Sequence, residues 1–515
     1  MSENATTADK TAPAAALGHA AHSEAAADGH GLPGEFTRPI HVTFLGAGSN
    51  FTSTLVRDLL LTPGHRGGSL RLVDVDAQRL DTMRRVVERL VRDTDQADAW
   101  TVQATADRLQ ALPGTDYAVC CVEVAGVQCT ALDNDIPLKY GVDQCIGDTI
   151  GPGGLFKAMR TVPTFLDILR DMRRLCPGAL LLNYTNPMSM MVLAAGRAVP
   201  EVPVVGLCHS VQGTSKLLAG YAGVEPADVR FECAGINHLA WMTRFEANGK
   251  DLYTSVLMEK FRQELATGRQ EAEQGLGLHD SQDGRYGEET DQPYSVDDLI
   301  RKDMCIHFGA FITESSGHLS EYLPYYRKSD AGRALLRRQY NGGSRFYATN
   351  WPGWRKQADA LREQWVTGEA QIEMKRSWEY GSQIIEAIEK DQPTRIHGNV
   401  MNHGGVPGRA AAGEASKLIS NLPGDGAVEV ACLVDGNGVQ PTRYGALPPQ
   451  MAHLCRSNMS VFDLGADACI HRSKAMAVHA LMLDPLTSAV LAPDQISRMT
   501  HEMFDAQAEF LPGFE

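Results

Sequence analysis

Residues 40–60 constrain the fold of this chain more than any other stretch. An apolar, β-branched run, Ile40-His-Val-Thr-Phe-Leu, passes at once into Gly46-Ala47-Gly48-Ser49 and then into a helical pattern through Leu55, Leu59 and Leu60. Strand, glycine turn and helix in that order make the layout of a dinucleotide-binding turn, where glycines let the backbone approach a pyrophosphate and the helix N-terminus faces its charge. Phe51 stands where the fingerprint wants its third glycine, so the turn needs support from its surroundings. A second strand, Ser69-Leu-Arg-Leu-Val, supplies it by ending in Asp74, with Asp76 following and an amphipathic helix from about Ala77 to Arg92. An acidic residue at that strand end is the expected acceptor for a ribose 2′-hydroxyl and disfavours a 2′-phosphate, so NAD is preferred over NADP. The alternative, a carboxylate capping the next helix, suits Asp76 better than Asp74. Gly46, Gly48, Ser49 and Asp74 are the expected cofactor contacts.

Strands at Thr101–Ala104 and Tyr117–Glu123 continue the alternation with helices, which means a parallel sheet. Gly147-Asp148-Thr149-Ile150-Gly151-Pro152-Gly153-Gly154 then opens a helix over Leu155–Arg174. Such a loop is either a flexible connection or a set of free N–H groups offered to a polar ligand, and its place beside the first turn favours the second. Strand Ala179–Tyr184 runs into Thr185-Asn186-Pro187, with the proline predicted at the first position of the next helix. Asn186 is placed to cap that helix, to orient a hydroxyl-bearing substrate, or both.

Two further groups follow short apolar runs and are predicted at strand ends: Cys208 with His209, and Asn237 with His238. A thiolate and an imidazole suit a borderline-soft divalent metal. Equally, they read as a buried thiol and a capping histidine.

At 515 residues the chain exceeds one core and implies two or three domains. A net charge of −15 argues against nucleic acid or an anionic membrane as partner. Eleven cysteines without a repeating frame, and no export signal, point to free thiols in a reducing, cytoplasmic setting. No stretch approaches the roughly 20 apolar residues that cross a bilayer. Residues 1–36, Ala-rich with scattered histidines (His19, His22, His30), read as a disordered tail. The polar segment 267–298 reads as a mobile loop or lid, residues 353–390 as helices, and His471–Leu483 as a helix that packs. Ile396–Val400 and Ala427–Val434 read as strands of a second domain, and no chemistry is assigned to His397 or Glu429.

GAGS after the first strand, DTIGPGG, LNYTNPMSM, VGLCHSVQGT, CAGINHLAW, FITESSGHLSEYLPYY, VEVACLVDGNGVQPT and MLDP occur in this order. Eight ordered blocks from Ile40 to about Pro493 resemble the melibiase-type α-galactosidases of glycoside hydrolase family 4, the NAD-dependent exception among glycosidases. The resemblance implies an α/β fold like that of lactate and malate dehydrogenases: a tail (1–36), a Rossmann-like NAD-binding domain (37–210) and an α+β catalytic and oligomerisation domain (211–515). It implies a homo-oligomer, a small-molecule glycoside as substrate, and NAD and Mn²⁺ as cofactors.

Position by position, it puts Cys208 and His238 on the metal, Asn186 on the sugar, His209 at the place of the general acid, and Asp148 among the active-site carboxylates. The C2 base does not carry over cleanly; Glu314 and Tyr322 are the candidates. The implied route is oxidation of the sugar at C3 by NAD⁺, loss of the acidified C2 proton, departure of the glycosidic oxygen, addition of water and return of the hydride. The branch that acts on 6-phosphorylated sugars carries an arginine just past the fourth strand. This chain has Val122-Glu123-Val124-Ala125-Gly126-Val127 there, so a non-phosphorylated α-galactoside is expected, with α-glucuronides or α-galacturonides as the alternative sugars. From another class, a lactate- or malate-type dehydrogenase shares the nucleotide domain but would release NADH, and a non-catalytic NAD-binding regulator would not need Cys208, His209 and His238 together.

Overall fold

The computed structural model describes residues 31–274, 295–336, 343–404 and 417–515. Six strands build the first half of one large sheet: β1 (Ile40–Leu45), β2 (Gly68–Val73), β3 (Trp100–Thr105), β4 (Tyr117–Cys120), β5 (Leu180–Asn183) and β6 (Val204–Gly206). They lie in the order β3-β2-β1-β4-β5-β6 with every pair parallel. This is the doubly wound dinucleotide-binding order, with its switch point between β1 and β4. Strands β4 and β5 are buried at every position, as their unbroken apolar runs require of a sheet covered on both faces. The covering helices include α1 (Asn50–Leu60), α2 (Ala77–Asp93), α3 (Gly151–Leu175) and α4 (Met188–Ala198). Asp76 caps α2 by accepting the N–H groups of Gln78 and Arg79. Pro187 precedes α4 instead of opening it, so Asn186 lies one residue outside the helix and does not cap it.

The second half extends the same sheet. After α5 (Ser210–Ala222) come β7 (Val229–Ile236), β8 (Leu239–Ala247), β9 (Lys250–Asp251), β10 (Phe311–Ile312), β11 (Thr394–Met401), β12 (Ala427–Asp435) and β13 (Gly438–Pro441). Beyond β6 the order is β11-β12-β7-β8-β10, all antiparallel, with β13 on β12 and β9 on β8. The change of direction at β6 is where we propose to divide the two halves, near residue 210. One register row crosses that junction: Gly206 faces Asn399, Asn399 faces Glu429, and Glu429 faces Gly235. The ends of β6 and β7, thirty residues apart in sequence, are thereby set at one level.

Several expectations are corrected. Residues 1–30 of the expected tail lie outside the described residues, but the tail does not extend to residue 36: Phe36 is buried, and the Leu32 N–H donates to Glu386 at 2.8 Å. The start of the polar 267–298 segment is helical, within Met258–Glu273, because Phe261, Leu265 and Ala272 give that helix a buried face; residues 275–294 lie outside the described residues. His471–Leu483 is not one helix. A long helix ends at His471, Arg472 takes a left-handed conformation (φ 52°), and a second helix starts at Lys474. Residues 353–390 hold parts of two helices, Phe346–Thr367 and Tyr380–Lys390, with an irregular link between them.

Glu386 joins the N-terminal segment to this frame. Fully buried, it accepts from Arg376 and Lys390 at 2.8 Å each, as well as from Leu32. Removing one member of such a group leaves uncompensated buried charge, a loss of about 3–5 kcal/mol. Glu386→Ala is expected to lower the melting temperature by several degrees, whereas breaking the exposed Arg498–Asp494 pair with Arg498→Ala leaves it within a degree; thermal unfolding of both variants checks this.

Candidate active site

A cleft of about 780 Å³ opens along the β1/β4 switch point. The Gly46–Ser49 turn forms its floor. Gly46 is left-handed (φ 78°), and a Cβ there would lie 2.6 Å from the Cys121 carbonyl oxygen. A Cβ on Gly48 would crowd Asp74 Oδ2 at 3.0 Å. Asp74 also accepts the Gly48 N–H at 2.7 Å and the Asp76 N–H at 2.9 Å, so the expected ribose acceptor holds the turn in shape as well. Ser49 caps α1 by accepting the Phe51 N–H, and the Phe51 ring lies 4.7 Å from that of Tyr184. The bare backbone and the free helix start together fit a dinucleotide pyrophosphate.

At its inner end the cleft meets a second group of residues. Cys208, two residues past β6, and His238, in the two-residue link between β7 and β8, leave the ends of the shared register row and meet: Cys208 Sγ is 3.3 Å from His238 Nε2. Glu314, two residues past β10, and His318, in the short helix α6 (Ser316–Tyr322), complete the group. One ligand atom each from His238, Glu314 and His318 lies within 4.8 Å of the others. His318 Nδ1 is 2.7 Å from Glu314 Oε2, and the two histidine rings meet edge to face at 4.7 Å. His238 (φ 61°) and Glu314 (φ 74°) are both left-handed, a conformation costing a non-glycine residue about 1 kcal/mol or more and concentrated at functional sites. Glu314 is held in it from both sides, its N–H donating to Thr214 Oγ1 at 3.2 Å and its carbonyl accepting from the buried Arg301.

Burial and the neighbouring His318 push His238 down to about 4, leaving a neutral imidazole with a free lone pair. Burial, then Glu429, pushes the Cys208 thiol up to about 12. Glu314 and Asp148 overcome burial to hold His318 protonated, up to about 10. Glu314, against the cost of its own burial, is held well below the usual carboxylate range by His318. A thiol, the neutral imidazole of His238 and a carboxylate, with His238 Nδ1 buried and without a hydrogen-bond partner, fit a divalent metal.

Asp148 is where cleft and cluster join. Its Oδ2 lies 3.4 Å from Lys157 Nζ and 3.3 Å from the Asn186 amide; its Oδ1 lies 3.8 Å from His318 Nε2. Lys157, then His318, hold it ionised below the usual range in spite of burial. Lys157 reaches on to Glu123 at 3.0 Å, so five charges alternate in sign from Glu123 to Glu314. Glu321 fixes the approach to Asp148 by accepting the N–H groups of Cys145 and Ile146 at 2.5 Å each and of Gly147 at 3.1 Å.

The remaining candidates lie at the margin. His209 precedes α5 with half its side chain exposed, 3.7 Å from Glu379. Tyr322 is buried, its ring 6.4 Å from that of His238, and burial raises its phenol strongly. Sequence reasoning missed His318, Lys157, Glu123 and Glu321. His318 carried the only available signal, standing four residues after Glu314 at the spacing of one helical turn.

A histidine raised from 6.5 to about 10 stabilises the folded state fully below pH 6.5, and that contribution is lost as the pH approaches 10. The melting temperature of metal-stripped protein is expected to fall over this window, and His318→Gln to flatten the fall. An identical slope in both proteins would remove the charged His318–Glu314 pair from the account.

Comparison with known proteins agrees with this geometry. The sequence pattern of the Family 4 glycosyl hydrolases matches residues 41–224, and that of the Family 4 glycosyl hydrolase C-terminal domain matches residues 233–487. The chain is 33% identical over 478 residues to an alpha-galactosidase of Bacillus subtilis (strain 168), covering 92% of this chain and 99% of the relative. It is 33% identical over 481 residues to an alpha-galactosidase of Rhizobium meliloti (strain 1021), covering 92% and 89%. A solved 6-phospho-alpha-glucosidase from gut microorganisms, in complex with NAD and Mn²⁺, shares the fold with a TM-score of 0.70 at 20% identity, over 93% of this chain and 100% of that one. With both halves of the family pattern in sequence, over one sheet that runs through both, this chain belongs to the family 4 glycosyl hydrolases and is a glycoside hydrolase.

Proposed function

We propose that this enzyme hydrolyses neutral α-galactosides with NAD and Mn²⁺ as cofactors. The observation that carries the reading is the junction at Asp148, which lines the dinucleotide-type cleft and lies 3.8 Å from His318 of the metal-type cluster. When bound, NAD supplies a hydride acceptor that becomes the donor within the same turnover, and the divalent metal supplies Lewis acidity. Cys208 and His238 hold the metal, with Glu314 and His318 beside it. Gly46, Gly48 and Ser49 receive the dinucleotide diphosphate, and Asp74 the ribose.

The protein's own groups orient the sugar and move its protons. Asn186 and Asp148, already hydrogen-bonded to each other, present an amide donor and an ionised acceptor to sugar hydroxyls. Glu314 is the ionised candidate for taking the C2 proton, while Tyr322, raised by burial, holds its proton tightly. His209, open to solvent and beside Glu379, is placed to protonate the leaving oxygen and to be reprotonated from water. A neutral sugar is supported by the absence of arginine from residues 122–127 and by Lys157, whose charge is already met by Glu123 and Asp148. The reading includes a homo-oligomer, from the family resemblance, and a cytoplasmic setting, supported by eleven cysteines that form no disulfide. No helix of the described residues is long and apolar enough to cross a membrane.

Hydrolysis of p-nitrophenyl α-galactoside is expected only when NAD⁺ and Mn²⁺ are both present, with no net NADH. Cleavage of the galacturonide or glucuronide alone would move the sugar and keep the chemistry; steady NADH release from a hydroxy acid would overturn the reading. Glu314→Gln is expected to lower kcat by about 10²–10⁴-fold and Tyr322→Phe by much less. Glu321→Gln, acting only through the position of Asp148, is expected to cost about 10²-fold with the melting temperature nearly kept.

A further inference from the structure

The helix Phe346–Thr367, here α7, belongs to the second half of the chain yet runs along the cofactor cleft. Tyr347, Trp351, Trp354, Arg355, Ala358 and Arg362 line the cleft from this one helix, at spacings that keep them on a single face. Its sugar-side end stands over Lys157, whose ammonium lies 5.9 Å from the Trp351 ring. Its other end reaches the dinucleotide turn, where Arg362 donates to the side chain of Asn50, the first residue of α1.

Three guanidinium groups gather there. Arg362 is 3% exposed; Asp359 takes its Nη1 at 2.7 Å, but its Nε is buried without a hydrogen-bond partner. Arg79, on α2, donates through Nη2 to the Gly48 carbonyl at 2.5 Å, while its Nη1 is also buried without a partner. Arg355 lines the same cleft and makes no ion pair among the described residues. Asp359 lies 3.5 Å from Arg79 and is shared between Arg79 and Arg362. Asp74 is already engaged by two backbone N–H groups. Burial and the proximity of Arg79 and Arg355 lower Arg362 to about 10, in spite of Asp359. Guanidinium groups that line a cleft beside a helix N-terminus suit phosphate oxygens.

We propose that Arg355 and Arg362 on α7, with Arg79 on α2, form a phosphate clasp against the bound dinucleotide, so that the second half of the chain completes the cofactor site. The inference rests on the NAD reading above. Its ligand chemistry is the bridging diphosphate of the dinucleotide.

The test is fluorescence titration of the full-length protein with NADH and NADPH at low and high salt, with adenosine as a competitor that carries no phosphate. Arg355→Gln and Arg362→Gln are each expected to weaken NADH binding about tenfold, to reduce its salt dependence, and to leave competition by adenosine unchanged. Arg355, half-exposed and without an ion pair, serves as the variant that does not put the fold at risk. If wild type prefers NADH, the clasp holds the diphosphate. If it binds NADPH at least as tightly and the variants lose NADPH more, the arginines hold a 2′-phosphate instead, and the diphosphate clasp is overturned. Unchanged NADH affinity and salt slope in both variants, or an equal loss for adenosine, overturns the clasp and leaves NAD binding standing. No binding of either dinucleotide to wild type overturns both.

Discussion

Asp148 is a carboxylate withdrawn from water and kept ionised by the charges around it, and the site is arranged about that fact. Lys157 and His318 approach it from opposite sides, and the Asn186 amide takes up more of its acceptor capacity. An isolated buried carboxylate would take up a proton; one set between two cations remains an acceptor. The loop before it is fixed by Glu321, a carboxylate whose partners are backbone N–H groups. The charge that faces the cleft is thus positioned by a second charge that never reaches it.

From Glu123 to Glu314 the sign alternates at each step, so no member is buried against a like charge alone. Such a chain is stiff, because moving one member exposes its neighbours to an unfavourable field. The same region carries backbone strain at His238 and Glu314, and both are held by surrounding structure: His238 by the β7–β8 hairpin, Glu314 by Thr214 and Arg301. Strain of this kind sets side-chain direction more narrowly than rotamer preference does. For a cluster in which a thiol, two imidazoles and a carboxylate must converge, that narrowness is useful.

The two halves of the chain are not loosely joined units. One sheet runs through both, and the row Gly206, Asn399, Glu429 and Gly235 crosses from the parallel part into the antiparallel part. Cys208 depends on one half and His238 on the other, so the cluster exists only when the halves share a register. The helix over 346–367 adds a second bond between them by lying against the dinucleotide turn.

The order of strands around Gly46, the acidic strand end at Asp74 and the strand-end positions of Cys208 and His238 were legible because each is a local matter: apolar runs, glycines and turns act over a few residues, and period and spacing record them. Eight blocks in order carried the family. The partners of Asp148 were not legible. Lys157 and Glu321 look in sequence like ordinary helix residues, and the one cue to His318 was its spacing from Glu314. The boundaries at 36, 267 and 471 were misread for a related reason, since whether a polar or alanine-rich stretch is ordered depends on what it packs against. By itself, then, the sequence determined the strands, the glycine turn and the residue types of the site. Only the tertiary structure decided which charges face one another, because the contacts that close the site, Asp148 with His318 and Glu321 with the backbone of residues 145–147, join parts of the chain more than a hundred positions apart and are set by sheet register and helix packing, which leave no periodic trace in the chain.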